Sequence, residues 1–170
     1  RNDAQPLAGI SEASIVYEAP VEGNIPRLLA LFRTEQTVAK VGPVRSARPY
    51  YLDWILEYGD ALYFHVGGSP EALAQIGRFS VFDINEFYRG NFFWRDQNRS
   101  APHNIFTSSN LWQSAFAKFK DGRRVKTYKA WVFEDKSENC LTDCVSKVSF
   151  SYVHGIYDII WVYDKDKNVY

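Results

Sequence analysis

The sequence predicts an α+β fold, a mixed α/β arrangement with a central mixed sheet, flanking helices and the start of a β-rich second lobe. Three observations predict it. The tract 42–70 reads as loop, amphipathic helix, buried strand, then a Gly-rich turn that opens a second helix. Aromatic residues make up 16% of the chain, with 11 Tyr, 12 Phe and 5 Trp, which favours strands and large buried rings. Near residues 120–140 the composition shifts from mixed α/β to almost pure β. That shift sets the expected boundary between a first domain at 1–122 and a β-rich segment at 123–170, the truncated start of a further domain.

In chain order, residues 1–12 are polar and read as an irregular lead-in. Residues 13–21 read as a strand around Ile15, Val16 and Tyr17, and 22–26 as a turn. The short apolar run 27–34 is read as the return strand of a hairpin. Pro49 suits the first turn of a helix that continues to Gly59, a C-terminal stop. Residues 61–66 form a near-continuous apolar strand, the pattern of a strand covered on both faces. Ser69 is a good N-cap, Pro70 a good first helical residue and Glu71 a favourable first-turn acid, for a short helix ending at Gly77. A strand is expected at 79–84, a long structured surface loop at 85–99 and a helix at 111–119. Strands at 125–134, 145–152 and 156–163 complete the reading.

At 170 residues the chain can bury a core without staples. Its 20 Lys plus Arg balance 20 Asp plus Glu, so no global field attracts nucleic acid, and none is expected as a partner. No apolar run reaches the ~18 residues of a membrane span. The chain lacks Met and begins at Arg1, the mark of a trimmed or processed piece. Its end, a polar turn and two residues after a strand, looks like half a hairpin. Cys140 and Cys144 make either a small loop disulfide or two ordinary thiols; they do not make a zinc site, and no cofactor is expected.

Four constellations could carry chemistry. Arg45 and Arg48, flanking Ser46 beside a helix start, could fork a carboxylate or phosphate, or pair with internal acids such as Glu18, Glu22 or Asp53. His65, Gly67, Gly68 and Ser69 lie at a strand end, where Gly-Gly lets the backbone approach a ligand. Ser69 reads chiefly as a cap, because the Gly-x-Ser-x-Gly frame is missing. His65 suits an acid/base group, an anion ligand or a hydrogen-bonded structural residue. His103 and Asn104 sit in a Pro-braced turn; with His65 and Glu18, Glu22 or Asp83 they could approach a metal, but the spacing does not support one. Glu18 and Glu22 could act as acid and base, or be solvated hairpin acids. His154 reads as a turn residue.

Taken together, Val16-Tyr17-Glu18, Val21-Glu22-Gly23 with Arg27, the run from Gly42-Pro43-Val44-Arg45 through Ser46-Ala47-Arg48-Pro49, His65-Val66-Gly67-Gly68-Ser69-Pro70 and Ala101-Pro102-His103-Asn104 resemble the YerB-like family of bacterial lipoproteins, a domain of unknown function. The resemblance covers most of the chain, up to the helix ending at residue 119. It implies an extracytoplasmic, membrane-anchored lipoprotein of the cell envelope, whose N-terminal lipid lies outside this sequence. It supplies no catalytic residues, and Cys140 and Cys144 are not part of its pattern. Three functions follow as expectations. The first is a module binding an anionic or sugar-containing envelope ligand through the motif residues. The second is an interaction domain for an envelope protein, using the aromatics at 87–94. The third is a hydrolase with a His general base.

Overall fold

A computed structural model of the chain describes residues 4–119, 121, 132, 145–153, 155, 157–167 and 170. The fold is α+β. The chain forms two compact units: Arg1–Tyr17 with Leu28–Tyr128, and Glu18–Arg27 with Lys129–Tyr170. Among the described residues no helix is long and apolar enough to cross a membrane.

The first unit is built on one hydrogen-bonded layer whose middle strand is irregular. Strands β3 (Tyr63–His65) and β4 (Asp83–Asn85) pair in parallel, with Tyr63 opposite Asp83 and His65 opposite Asn85. Strands β5 (Trp94–Arg95) and β6 (Ile105–Phe106) pair antiparallel. Residues 41–47 join the two pairs. Val41 exchanges both backbone hydrogen bonds with Thr107, and Val44 donates to the Ile105 carbonyl. On the other side Val66 donates to the Arg45 carbonyl, and Ala47 donates to Gly67. The expected central mixed sheet is thus present as two regular pairs bridged by an irregular segment. The interruption falls at Gly42-Pro43, where Gly42 takes φ +145° and Pro43 has no N–H to donate.

Side-chain alternation then covers both faces of β3. Phe64 and Val66 join a core of Ile84, Phe92, Phe93, Ile105 and Ala115, together with Phe119. Tyr63 and His65 face the other way and stack at 4.9 Å. Helix α1 (Pro49–Leu56) buries Tyr51, Leu52 and Ile55, and packs against α2 (Pro70–Phe79). Ser69 caps α2 by accepting from the Ala72 N–H at 3.2 Å. The expected stop at Gly77 does not occur. The helix runs on to Phe79 and closes at Ser80, φ +53°, where the Val81 N–H reaches the Ile76 carbonyl. A helical glycine costs only about 1 kcal/mol, less than burial of Ile76 returns.

The expected surface loop at 85–99 is largely ordered. It holds α3 (Glu86–Arg89), a 3-10 turn at Gly90–Phe92 and β5, and it contributes Phe92 and Phe93 to the core. Helix α4 (Ser109–Phe119) follows, with Trp112 stacked on Phe32 and its indole N–H on the Thr34 carbonyl.

Strands β1 (Ile15–Pro20) and β2 (Pro26–Leu31) form the expected hairpin, which runs through both units in sequence. In the second unit β7 (Lys147–Ser151) and β8 (Asp158–Val162) pair antiparallel from Lys147–Val162 to Ser151–Asp158. Val148, Phe150, Ile160, Trp161 and Val162 remain exposed there. His154, Cys140, Cys144 and all of the expected strand at 125–134 except Val132 lie outside the described residues.

Candidate functional site

The end of β3 is a sealed junction. His65 has 0% exposure. Its Nδ1 lies 2.7 Å from the Gly67 carbonyl and its Nε2 3.2 Å from Asp83 Oδ2. The ring thus bridges the turn carbonyl of its own strand end and a carboxylate of the neighbouring strand. The hydrogen bond from His65 is the main reason the Asp83 carboxyl lies below its ordinary value; Arg89, which donates to the Asp83 backbone carbonyl, adds to that.

The two glycines beside it are filled, not open. Gly67 is left-handed at φ +58°, and a Cβ there would stand 2.6 Å from the Phe87 ring. A Cβ on Gly68 would stand 3.1 Å from both Ala47 and Leu73. Asn85, which sequence reasoning passed over, ties the junction together. Its Oδ1 accepts from the Gly67 N–H at 3.0 Å and the Phe87 N–H at 3.3 Å, capping α3 while holding the turn. An Asn before Glu86 was the available signal.

The arginine motif and the Pro-braced turn meet across 57 residues of sequence. Arg45 donates to the Pro102 carbonyl. Arg48 donates to the Ala47 carbonyl at 2.7 Å. Both arginines and Ser46 are half-buried. His103 is buried, its N–H bonded to the Ser100 carbonyl at 3.0 Å. Asn104 looks outward. Its Oδ1 accepts from Arg95, which also pairs with Glu86 at 2.8 Å. Glu86, the first link of this Glu86–Arg95–Asn104 chain, lies on α3 with the most exposed rings of the first unit's described residues, Phe87 at 69% and Tyr88 at 87%.

Glu18 and Glu22 belong to the second unit. Burial raises the Glu18 carboxyl above its ordinary value. Tyr152 donates to the Glu18 backbone carbonyl at 3.3 Å, and burial, then the Glu18 charge, raise its phenol. Glu22 is exposed. Among the described residues no three His, Cys, Asp or Glu side chains gather into a metal-holding group.

Comparison with known proteins places the chain in a family. A family model described as "Protein of unknown function (DUF3048) N-terminal domain" matches residues 1–123. The Bacillus subtilis (strain 168) protein named "Putative lipoprotein YerB" is 42% identical over 107 residues, 62% of this chain and 31% of the relative. The crystal structure of YerB protein from Bacillus subtilis matches with a TM-score of 0.79 at 31% identity, covering 98% of this chain and 55% of that one. The chain thus spans about a third of the curated relative's length and about half of the crystallised chain. Matched over most of its length in sequence and over nearly all of it in fold, the chain belongs to the DUF3048 family, the YerB-like family its motifs resemble.

Proposed function

We propose that this chain is a binding module of the cell envelope, held extracytoplasmically by a lipid anchor in the longer protein, and that it takes an anionic or sugar-containing wall ligand on the α3 surface. One observation carries the reading: Phe87 and Tyr88 stand in water beside a chain of planar polar groups, Glu86, Arg95 and Asn104. Exposed rings stack on the apolar face of a sugar, and planar side chains hydrogen-bond its hydroxyls and carboxylates. Of the family motifs, Asn104 contributes to that surface through its bond to Arg95. His65, Gly67, Gly68 and Ser69 hold the frame beneath it. A hydrolytic reading has less support, because both of its proposed bases, His65 and His103, are buried.

The test is calorimetric titration of the chain with purified wall glycan fragments and anionic wall polymers, repeated with Tyr88→Ser and Arg95→Ala. Binding that falls at least tenfold in both variants supports the reading. Equal binding by both variants, or no heat at millimolar fragment, sinks it. An envelope protein whose binding depends on Tyr88 while wall fragments stay inert would replace it with the protein-partner reading.

A further inference from the structure

The charges around the α3 surface are spent inside the fold. Residues 86–96 hold two acids, Glu86 and Asp96, and two bases, Arg89 and Arg95, so the segment is neutral. Glu86 pairs with Arg95 at 2.8 Å, and Asp96 with Lys40 at 2.6 Å. Arg89 donates to the Asp83 backbone carbonyl and lies over the Phe119 ring, 4.6 Å from its centroid. Both bases of the segment are therefore already engaged. A carboxylate or phosphate arriving at Phe87 and Tyr88 has to compete with Glu86 for Arg95, and a compensated charge at a wet surface attracts a second anion only weakly.

The exposed rings are seated from below. One side of Phe87 rests on Gly67, where an added Cβ would stand 2.6 Å from the ring. Asn85 Oδ1 accepts from the N–H of Gly67 and from that of Phe87, so the turn and the start of α3 are one hydrogen-bonded unit. The left-handed glycine thus gives the ring its place, while most of Phe87 and nearly all of Tyr88 stay in water. Next in sequence Gly90 and Asn91 are exposed, and neither carries a charge. Two aromatic side chains present roughly 300–500 Å² of surface. That is well short of the ~800 Å² each partner brings to a stable protein interface. It suits a short oligosaccharide, whose ring has an apolar C–H face and a polar rim.

We propose that the ligand of the α3 surface is an uncharged glycan, an inference that rests on the wall-ligand reading above and narrows it. The C–H face of a sugar ring lies against Phe87 and Tyr88, where the electron-rich ring faces attract the weakly positive hydrogens. Sugar hydroxyls and amides exchange hydrogen bonds with Asn91, Asn104 and the Glu86–Arg95 pair, as donors to Glu86 and acceptors from Arg95. A neutral sugar does this with the ion pair intact, whereas an anion gains Arg95 only by displacing Glu86.

The experiment titrates the intact chain calorimetrically with tetrasaccharides of like size: chitotetraose, which is uncharged, tetragalacturonate, which is anionic, and tetraglucosamine, which is cationic. Each titration is run in about 25 and about 500 mM NaCl. Phe87→Leu is the comparison variant; it keeps an apolar side chain on Gly67 and loses the flat ring, and its unfolding temperature checks the fold. The expected result is that chitotetraose binds at least about tenfold tighter than either charged sugar, with an affinity that salt leaves unchanged within about twofold. That affinity falls about tenfold in Phe87→Leu and in Tyr88→Ser. No binding of chitotetraose at millimolar concentration overturns the proposal, and so does unchanged affinity in Phe87→Leu. Tighter, salt-sensitive binding of tetragalacturonate that depends on Tyr88 and Arg95 also overturns it, while leaving the wall-ligand reading standing with an anion as its ligand.

Discussion

Two tracts of this chain make opposite use of polar and aromatic residues. Tract 42–70 carries most of the family motifs, and the chain's own backbone absorbs them. Arg45 goes to Pro102, Arg48 to Ala47, His65 to Gly67 and Asp83, and Ser69 to Ala72. Tract 85–99 reads from sequence as a structured surface loop; it supplies two core rings and leaves two others in water. The difference teaches that a glycine or histidine at a strand end does not by itself mark an open site. Burial decides whether a polar group meets a ligand or another part of the chain.

The comparison breaks most easily at Gly67. Gly67→Ala places a Cβ against the Phe87 ring in a left-handed backbone, and a loss of roughly 2–4 kcal/mol is expected in urea unfolding. A neutral substitution would mean that the turn is open, as a ligand cradle would be. Gly68→Ala, with 3.1 Å contacts and no positive φ, should cost less.

His65→Leu is next. It removes the ring that bridges the Gly67 carbonyl and Asp83, and roughly 2–3 kcal/mol is expected to go. The pH dependence sharpens the assignment. Asp83 has its carboxyl lowered in the fold, so its contribution is present above the ordinary carboxylate range and is lost as pH falls through the lowered value. The wild-type chain should lose stability on acidification below about pH 4, and Asp83→Asn should flatten that limb. An unaltered acid limb in Asp83→Asn would remove Asp83 from the junction.

Ser69→Ala removes only the cap of α2, at about 1 kcal/mol. A larger loss in thermal unfolding would mean that Ser69 does more than cap. The smallest stability effect is expected in the second tract: Tyr88→Ser should fall within about 0.5 kcal/mol of wild type, because the ring touches water on most of its surface. A loss of several kcal/mol there would make Tyr88 structural and collapse the contrast.

Local chemistry made much of the fold legible. The Ser-Pro-Glu start of α2, the Pro49 start of α1, the turn at Glu22–Asn24 and the hairpin β1–β2 all stand where turn and cap residues put them. Less legible were lengths and endings. Helix α2 passes Gly77 because Ile76 and the Val81 N–H close it further on, a choice made by burial and not by the glycine. The order within 85–99 was legible in its rings, but not the partners, Ile84, Ile105 and Ala115, that Phe92 and Phe93 meet.

By itself, then, the sequence determined the α+β class, the family and the capped starts of the helices, because each rests on neighbours along the chain. Only the tertiary structure decided what the motif residues are for. The Asp83 carboxylate lies 18 residues from His65 and the Pro102 carbonyl 57 from Arg45. Whether a polar side chain is spent inside the fold or presented to a partner depends on which distant atoms reach it first, and no local spacing records that.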